Sequence, residues 1–422
     1  MQKYFDDTVR AIREIVRFDS SQSAPQKGMP FGKGAADCLA YFLDLADKMG
    51  FETYNYDNYA GEVLFGEGED FAVLCHLDVV PAGSGWTHPP FGGEIADGKI
   101  YGRGTTDDKG PAVICLYCLK ALKDEGFSPK KRIRLIVGCN EENGWACIDH
   151  YRKCARLPET GFSPDADFPV IYAEKGILQI RLSFPLQHPP FTRLYGGERA
   201  NMVCEFAAAE GVPDETGKNP GEGLFFEGGK LTATGRSAHA STPDEGDNAL
   251  KKLFAMLSEN SDEIKNIYEI LFEDRYGLKK LCDETGSLTL SPDIAEYEKG
   301  TLSVVCDIRY PATCKRSEVL GLIDKFGAKY ELLHCQAPLY SDREGFLVST
   351  LKEVWKEATG REDEPIAIGG GTYARALKNG AAFGPQFPGE ESTIHCKDEY
   401  ISLKNVEKLS EIYRLAIRKL TE

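Results

Sequence analysis

Histidine is scarce in this chain, with seven among 422 residues, so each can be weighed individually. Long apolar runs are missing as well. None approaches the roughly 18 residues that a membrane span requires, and no membrane partner is expected. Positive charge is in deficit: 50 Lys and Arg stand against 66 Asp and Glu, for a formal net charge of −16 and a pI of about 5.1. That balance argues against a nucleic acid or an anionic lipid surface as partner. A disulfide framework is also lacking, because the 13 cysteines are odd in number and scattered without regular spacing. Met1 to Phe18 is charged and amphipathic and has no apolar core of a secretory signal. Reduced thiols in a cytoplasmic protein are expected. Cys115 and Cys118 form a C-x-x-C, but inside Pro111-Ala-Val-Ile-Cys-Leu-Tyr-Cys-Leu-Lys, an apolar helical pattern, so they read as core residues. There is no internal repeat and no low-complexity tract.

What is present is a composition of ordinary globular kind, 42% hydrophobic and 27% charged, in a length that suits two or three domains. The chain is organised around Phe71 to Asp78, Phe-Ala-Val-Leu-Cys-His-Leu-Asp, which reads as a buried strand ending in a polar pair. His76 would sit at its C-terminal end, where open α/β sheets place their ligands. Asp78, two residues on, shares a face with His76 on an extended segment. Its carboxylate could hold one ring nitrogen and leave the other for a metal. Alone, such a histidine is more often a core or surface residue than a ligand.

Other strand ends repeat the pattern. Pro81 to Gly104 reads as a long Gly- and Pro-rich loop leading to a helix over Pro111 to Leu122. Asp107 and Asp108 fall just before that helix, as caps or as something more. A strand over Arg132 to Gly138 runs into Asn140-Glu-Glu-Asn-Gly-Trp, ahead of a helix over Ala146 to Cys154. Asp165 precedes a further strand. His76, Asp107, Glu141, Glu142 and Asp165 thus lie within 90 residues, each after an apolar run. Imidazole and carboxylate donors together suit zinc, manganese or cobalt.

From Gly176 the texture changes. Strands over Ile177 to Phe184, Lys230 to Ala233, Thr301 to Arg309 and Tyr330 to Cys335 alternate, with helices over Asn248 to Ser258 and Ser317 to Phe326 between them. This reads as an inserted α+β domain. Afterwards come a helix over Phe346 to Ala358, a glycine turn from Gly369 to Arg375 entering a helix, a histidine loop at His395, and a closing helix over Leu403 to Leu420.

In order, the chain carries H-L-D, G-R-G-x-x-D-D-K-G, N-E-E-x-G, S-P-D-A-x-F-P, A-H-A-S-x-P, G-G-G-T-Y-A-R and H-x-K-D-E-Y. This ordered set resembles the dinuclear zinc peptidases, the family of aminoacylase-1, carnosinase and the desuccinylases. Within it the set is similar to the bacterial PepV-type dipeptidases. The resemblance implies an α/β zinc-peptidase catalytic domain with a central mixed sheet, in two parts over residues 1–175 and 341–422, and an inserted α+β lid over 176–340.

The resemblance also implies roles. His76 would bind one zinc, its ring held by Asp78. Asp107 would bridge two ions, in a cis peptide with Asp108. Glu142 would bind one ion and Asp165 the other, and His395 would complete the second. Glu141 would be the general base. From the lid, Asn201 and His239 would contact substrate, and His239 would meet the scissile carbonyl on closure. Arg309 and the glycine turn, with Gly370 and Arg375, would bind the substrate's carboxylate. The implied cofactor is two Zn2+ per chain, with Mn2+ or Co2+ as substitutes. The implied substrate is a dipeptide or, with the same machinery, a small N-acyl amino acid. A catalytically dead metal-binding relative is the remaining reading, and the presence of Glu141 and all the ligand positions counts against it. The chain is shorter than the PepV-type enzymes, with the shortfall in the lid. A monomer that closes its own site is expected, with a homodimer as the other reading.

Overall fold

The Phe71 to Asp78 run becomes the strand Glu69–His76, at the middle of a mixed sheet. Strand Lys131–Gly138 pairs with it in parallel, in register from Glu69 opposite Lys131 to His76 opposite Gly138. Strand Thr160–Ser163 lies parallel on its other side, and Asn379–Ala382 lies parallel beyond that. The hairpin Glu52–Tyr56 and Ala60–Phe65 joins antiparallel through Lys131–Gly138. Helix Lys109–Asp124 packs against the central strand and against the closing helix Leu403–Thr421, while helix Lys33–Lys48 packs on the hairpin. Covering of this kind explains why the central strands are continuously apolar rather than alternating. Strands Glu69–His76, Lys131–Gly138 and Thr160–Ser163, all parallel, end at one edge of the sheet. The segments that follow them, Leu77-Asp78, Cys139 to Gly144 and Pro164-Asp165, therefore leave from the same side. The close approach there requires Gly138, because a Cβ at that position would fall 2.1 Å from the Tyr373 hydroxyl.

The computed structural model describes residues 2–213 and 221–422. It divides into two compact units, one of Met1–Tyr172, Leu339–Ile366 and Thr372–Glu422, the other of Ala173–Pro338 and Ala367–Gly371. The second unit is built on an eight-stranded antiparallel sheet. Its long central strands, Gly176–Pro185, Thr301–Tyr310 and Thr289–Glu298, place alternate side chains in a core shared with helices Ala249–Ser258 and Asp262–Leu271. The fold is α/β with an α+β insertion.

Some elements differ from the sequence expectation. The Pro81 to Gly104 loop contains the short strands Glu94–Ala96 and Lys99–Tyr101, which form a three-stranded sheet with Tyr400–Ser402. Glycine turn 369–371 leads into a single 3-10 turn, Tyr373–Ala376, rather than a longer helix. Strands Arg193–Gly196, Phe206–Glu210, Leu224–Glu227 and Thr289–Glu298 had no clear signal. The run Phe-Ala-Ala-Ala-Glu has no alternation, and Thr289–Glu298 carries Pro292 at a register shift in the ladder. All thirteen cysteines are free, and Cys115 and Cys118 are buried in helix Lys109–Asp124. Among the described residues no helix is long and apolar enough to cross a membrane.

Candidate active site

His76 closes its strand almost fully buried. Its Nε2 lies 2.9 Å from Asp107 Oδ1 and 3.6 Å from Asp165 Oδ1. Its Nδ1 faces the main-chain carbonyl of Asp78 at 3.0 Å, with the Asp78 carboxylate at 3.6 Å. The strand stops at His76, so the alternation that would aim the Asp78 side chain at the ring does not extend that far. The Asp78 carboxylate instead accepts the backbone N–H of Glu141 at 2.9 Å on one oxygen and that of Glu142 at 3.1 Å on the other. One carboxylate thus fixes the turn that carries both glutamates. Ala146 N–H donates to Asn140 Oδ1 at 3.1 Å and closes the same turn. Trp145, at a positive φ of 67°, donates its indole N–H to Glu141 Oε1 at 3.0 Å. Because the pair sits in a turn, the two side chains diverge. Glu141 lies within ligand reach of His76 and Asp165, and Glu142 within reach of His76 and Asp107, with its Oε1 also 3.0 Å from His395 Nε2.

Asp107 stands between the two histidines. Its Oδ1 faces His76, and its Oδ2 lies 3.0 Å from His395 Nε2. The Asp107–Asp108 peptide is cis. The pairwise contacts run from His76 to Asp107 and Asp165 and from His395 to Asp107 and Glu142, with Asp107 common to both. His76 Nε2 and Asp107 Oδ1 are both buried and without a hydrogen-bond partner, although they are 2.9 Å apart. Atoms this close and this deeply buried stand at a spacing at which both could reach a common cation.

The charges agree. Asp78, Asp107, Asp108, Glu141, Glu142 and Asp165 crowd around two imidazoles. Burial pushes His76 down, but the charge of Asp165 and contacts with Asp107 and Asp78 hold it well above its ordinary value. Asp107 and Glu142 hold His395 up at about 10. Burial raises Asp165 to about 6, and burial first, with Asp165 and Glu142 next among the raising charges, lifts Glu141 well above the carboxylate range. Asp107 is held below that range, its burial outweighed by His395 and His76. So much negative charge out of water calls for compensating cations. The donor set of two imidazoles and three carboxylates, one of them shared, fits a pair of divalent ions.

Glu399 was quoted only as part of the last motif, and the structure gives it a task. It is fully buried and accepts from Gly104 N–H at 3.1 Å, Thr106 N–H at 3.0 Å and Asp107 N–H at 3.3 Å, with Arg103 Nη1 at 2.8 Å. One carboxylate thereby ties down the whole loop that presents Asp107. Nothing local in the sequence marks it, since its partners lie almost 300 residues away. Glu399→Gln turns an amide NH2 toward these donors. It is expected to lower metal affinity or activity by about 10–100-fold, read by metal titration alongside turnover. Unchanged values for both would remove Glu399 from the site's support.

Comparison with known proteins decides the family. A model described as Peptidase family M20/M25/M40 matches residues 72–419. The chain belongs to this family. It is accordingly a hydrolase with the family's fold. Among relatives, the YtjP protein of Bacillus subtilis is 38% identical, covering 99% of this chain and 98% of its own. The Beta-Ala-Xaa dipeptidase of Lactobacillus delbrueckii subsp. lactis is 34% identical, covering 99% and 96%. Among solved structures, the di-peptidase Dug1p of Saccharomyces cerevisiae superimposes with a TM-score of 0.61 at 14% identity over 100% of this chain and 97% of that one. Human carnosine dipeptidase 1 gives 0.58 at 16% identity over 100% and 98%. At those identities the structural likeness concerns the fold alone.

The remaining residues singled out from the M20 motifs fall largely in the second unit. There Asn201 and His239 lie on paired segments: Ala240 N–H donates to the Asn201 carbonyl at 3.0 Å, and Met202 bridges to His239. The His239 ring is locally fixed. Ser241 N–H donates to its Nδ1 at 3.1 Å, and Ser241 Oγ lies 2.6 Å from the same atom. Arg309 donates Nε and Nη2 to Asp307, at 2.5 and 3.1 Å, so the guanidinium expected for a substrate carboxylate is already engaged by a buried one. Gly370 belongs to the second unit and Arg375 to the first. Arg375 is buried in the 3-10 turn Tyr373–Ala376.

Proposed function

We propose that this chain is a metal-dependent dipeptidase of the M20 family, with His76, Asp107, Glu142, Asp165 and His395 as ligands of two divalent cations and Glu141 as general base. The observation that carries the reading is the Asp107 carboxylate set between His76 and His395, one oxygen 2.9 Å from the first ring and the other 3.0 Å from the second. The name of the Lactobacillus relative supports dipeptides as the substrate class. When bound, paired cations would lower the pKa of a water and polarise a carbonyl. The chain's own residues supply the rest. Asp78 holds the Glu141–Glu142 turn so that the two carboxylates serve different partners. Trp145 orients Glu141, which takes the proton of the attacking water and passes it to the leaving amine. Thirteen free cysteines support a cytoplasmic location.

The test is elemental analysis together with chelation. Two ions per chain are expected in active protein, with activity lost to a tight chelator and restored by zinc, manganese or cobalt. Zero or one ion in metal-replete, active protein would overturn the proposal. Rates on a panel of dipeptides against N-acetyl amino acids then decide the substrate class, and dipeptides are expected to be the faster set.

A further inference from the structure

A second group of donors lies outside the site described above and depends on none of its residues. Asp57, His150 and Cys154 each offer one ligand atom, and those atoms all fall within 4.8 Å of one another. His150 and Cys154 are one turn apart on helix Ala146–Cys154, so they project from the same face. Asp57 comes from the turn between strands Glu52–Tyr56 and Ala60–Phe65. Both partners are aimed at a single atom: His150 Nε2 lies 2.9 Å from Asp57 Oδ2 and 3.4 Å from Cys154 Sγ.

The donors stand on fixed supports. The His150 ring stacks on Tyr59, with centroids 4.0 Å apart and planes at 14°, which sets where Nε2 points. The Asp57 turn is tight, with Asp57 and Asn58 at φ values of 53° and 59°. It is pinned by Asn58 N–H to Asn55 Oδ1 at 2.8 Å and by Asn58 Nδ2 to the Gly28 carbonyl at 2.8 Å. Beside His150, the buried Tyr151 anchors the helix to Glu62 at 3.2 Å.

We propose that Asp57, His150 and Cys154 form a separate surface site for one thiophilic divalent cation of the zinc or cadmium kind. A tetrahedral zinc holds nitrogen and oxygen ligands at about 2.0–2.1 Å and sulfur at about 2.3 Å, which sets neighbouring ligands roughly 3.3–3.5 Å apart. The observed 3.4 Å between nitrogen and sulfur meets that spacing, and the 2.9 Å contact needs only a small opening. Imidazole, carboxylate and thiolate together select zinc-like ions over magnesium or calcium. Binding displaces the thiol proton to solvent and uses neutral imidazole, so uptake strengthens as pH rises. Cys154 is exposed, and the Asp57 side chain is 76% accessible, which gives an ion entry and leaves the fourth position to water. The plain alternative is a surface His–Asp ion pair with a thiol beside it, and that arrangement binds no ion.

Cadmium decides between them. The intact, metal-loaded protein is dialysed against Cd2+, the total bound ions are counted, and the ultraviolet thiolate-to-cadmium band is recorded. The wild type is expected to hold one equivalent more than His150→Ala and one more than Cys154→Ser, and to show a band that both variants lack. Cys282→Ser, which removes another exposed thiol, should keep both signals. Counting by difference makes the result independent of how many ions the paired site holds. Equal totals in the wild type and in either variant, or a band that survives Cys154→Ser, would overturn the proposal.

Discussion

Glu141→Gln is expected to lower turnover by on the order of 10²–10⁴, the usual contribution of general acid–base catalysis, while the protein keeps its full complement of metal. Glutamine preserves the side-chain shape and the Oε1 that accepts the Trp145 indole at 3.0 Å. The backbone bond from residue 141 to Asp78 is untouched. Only the basic oxygen is removed. Metal content is the discriminating readout, because Glu141 also lies within ligand reach of His76 and Asp165. Were it a ligand, the variant would lose an ion together with its activity. Near-full activity would refute the assignment and turn attention to Glu142. Burial, and then the charges of Asp165, Glu142 and Asp78, raise the Glu141 pKa. Bound cations oppose that shift. A base must be ionised to act, so wild-type kcat/KM should fall as pH drops through its pKa, and the residual activity of the variant should lack that limb.

The central strand and the carboxylates at strand ends were legible because burial on both faces writes an uninterrupted apolar run ending in polar residues. The parallel order of the strands then brings those ends to one edge of the sheet, a consequence of topology that no local pattern states. Asp78 was legible as a neighbour of His76, at 3.6 Å from its Nδ1, but its closer partners were not. Where a strand stops decides whether a side chain two residues on shares its face, and here the carboxylate turns to the Glu141–Glu142 amides. Glu399 and the short strand Tyr400–Ser402 were illegible for another reason. Their partners, Gly104 to Asp107 and Lys99–Tyr101, are joined by pairing across most of the chain. In the second unit the long alternating strands could be read, whereas Phe206–Glu210 was silent because alanine fits either face. Arg309 was legible as a charge, whereas its buried partner Asp307, which takes its Nε and Nη2, was not.

His239→Ala is expected to retain both cations and lose most of its turnover, by about 10²–10³, the effect of removing one oxyanion donor. The local geometry supports a donor role. Ser241 N–H is a donor, and it points at His239 Nδ1. That contact favours the tautomer with the lone pair on Nδ1 and the proton of the neutral ring on Nε2. Burial, and then the charge of Arg309, lower the His239 pKa, which favours the neutral ring. Such a donor matches the negative charge that grows on a carbonyl oxygen under attack. Because that charge develops only in the transition state, the loss should fall on kcat more than on KM. Ser241→Ala removes one contact to Nδ1, leaves the backbone N–H in place, and should cost much less. Unchanged kcat with a raised KM in His239→Ala would make His239 a binding residue, and no change in either would make it a bystander.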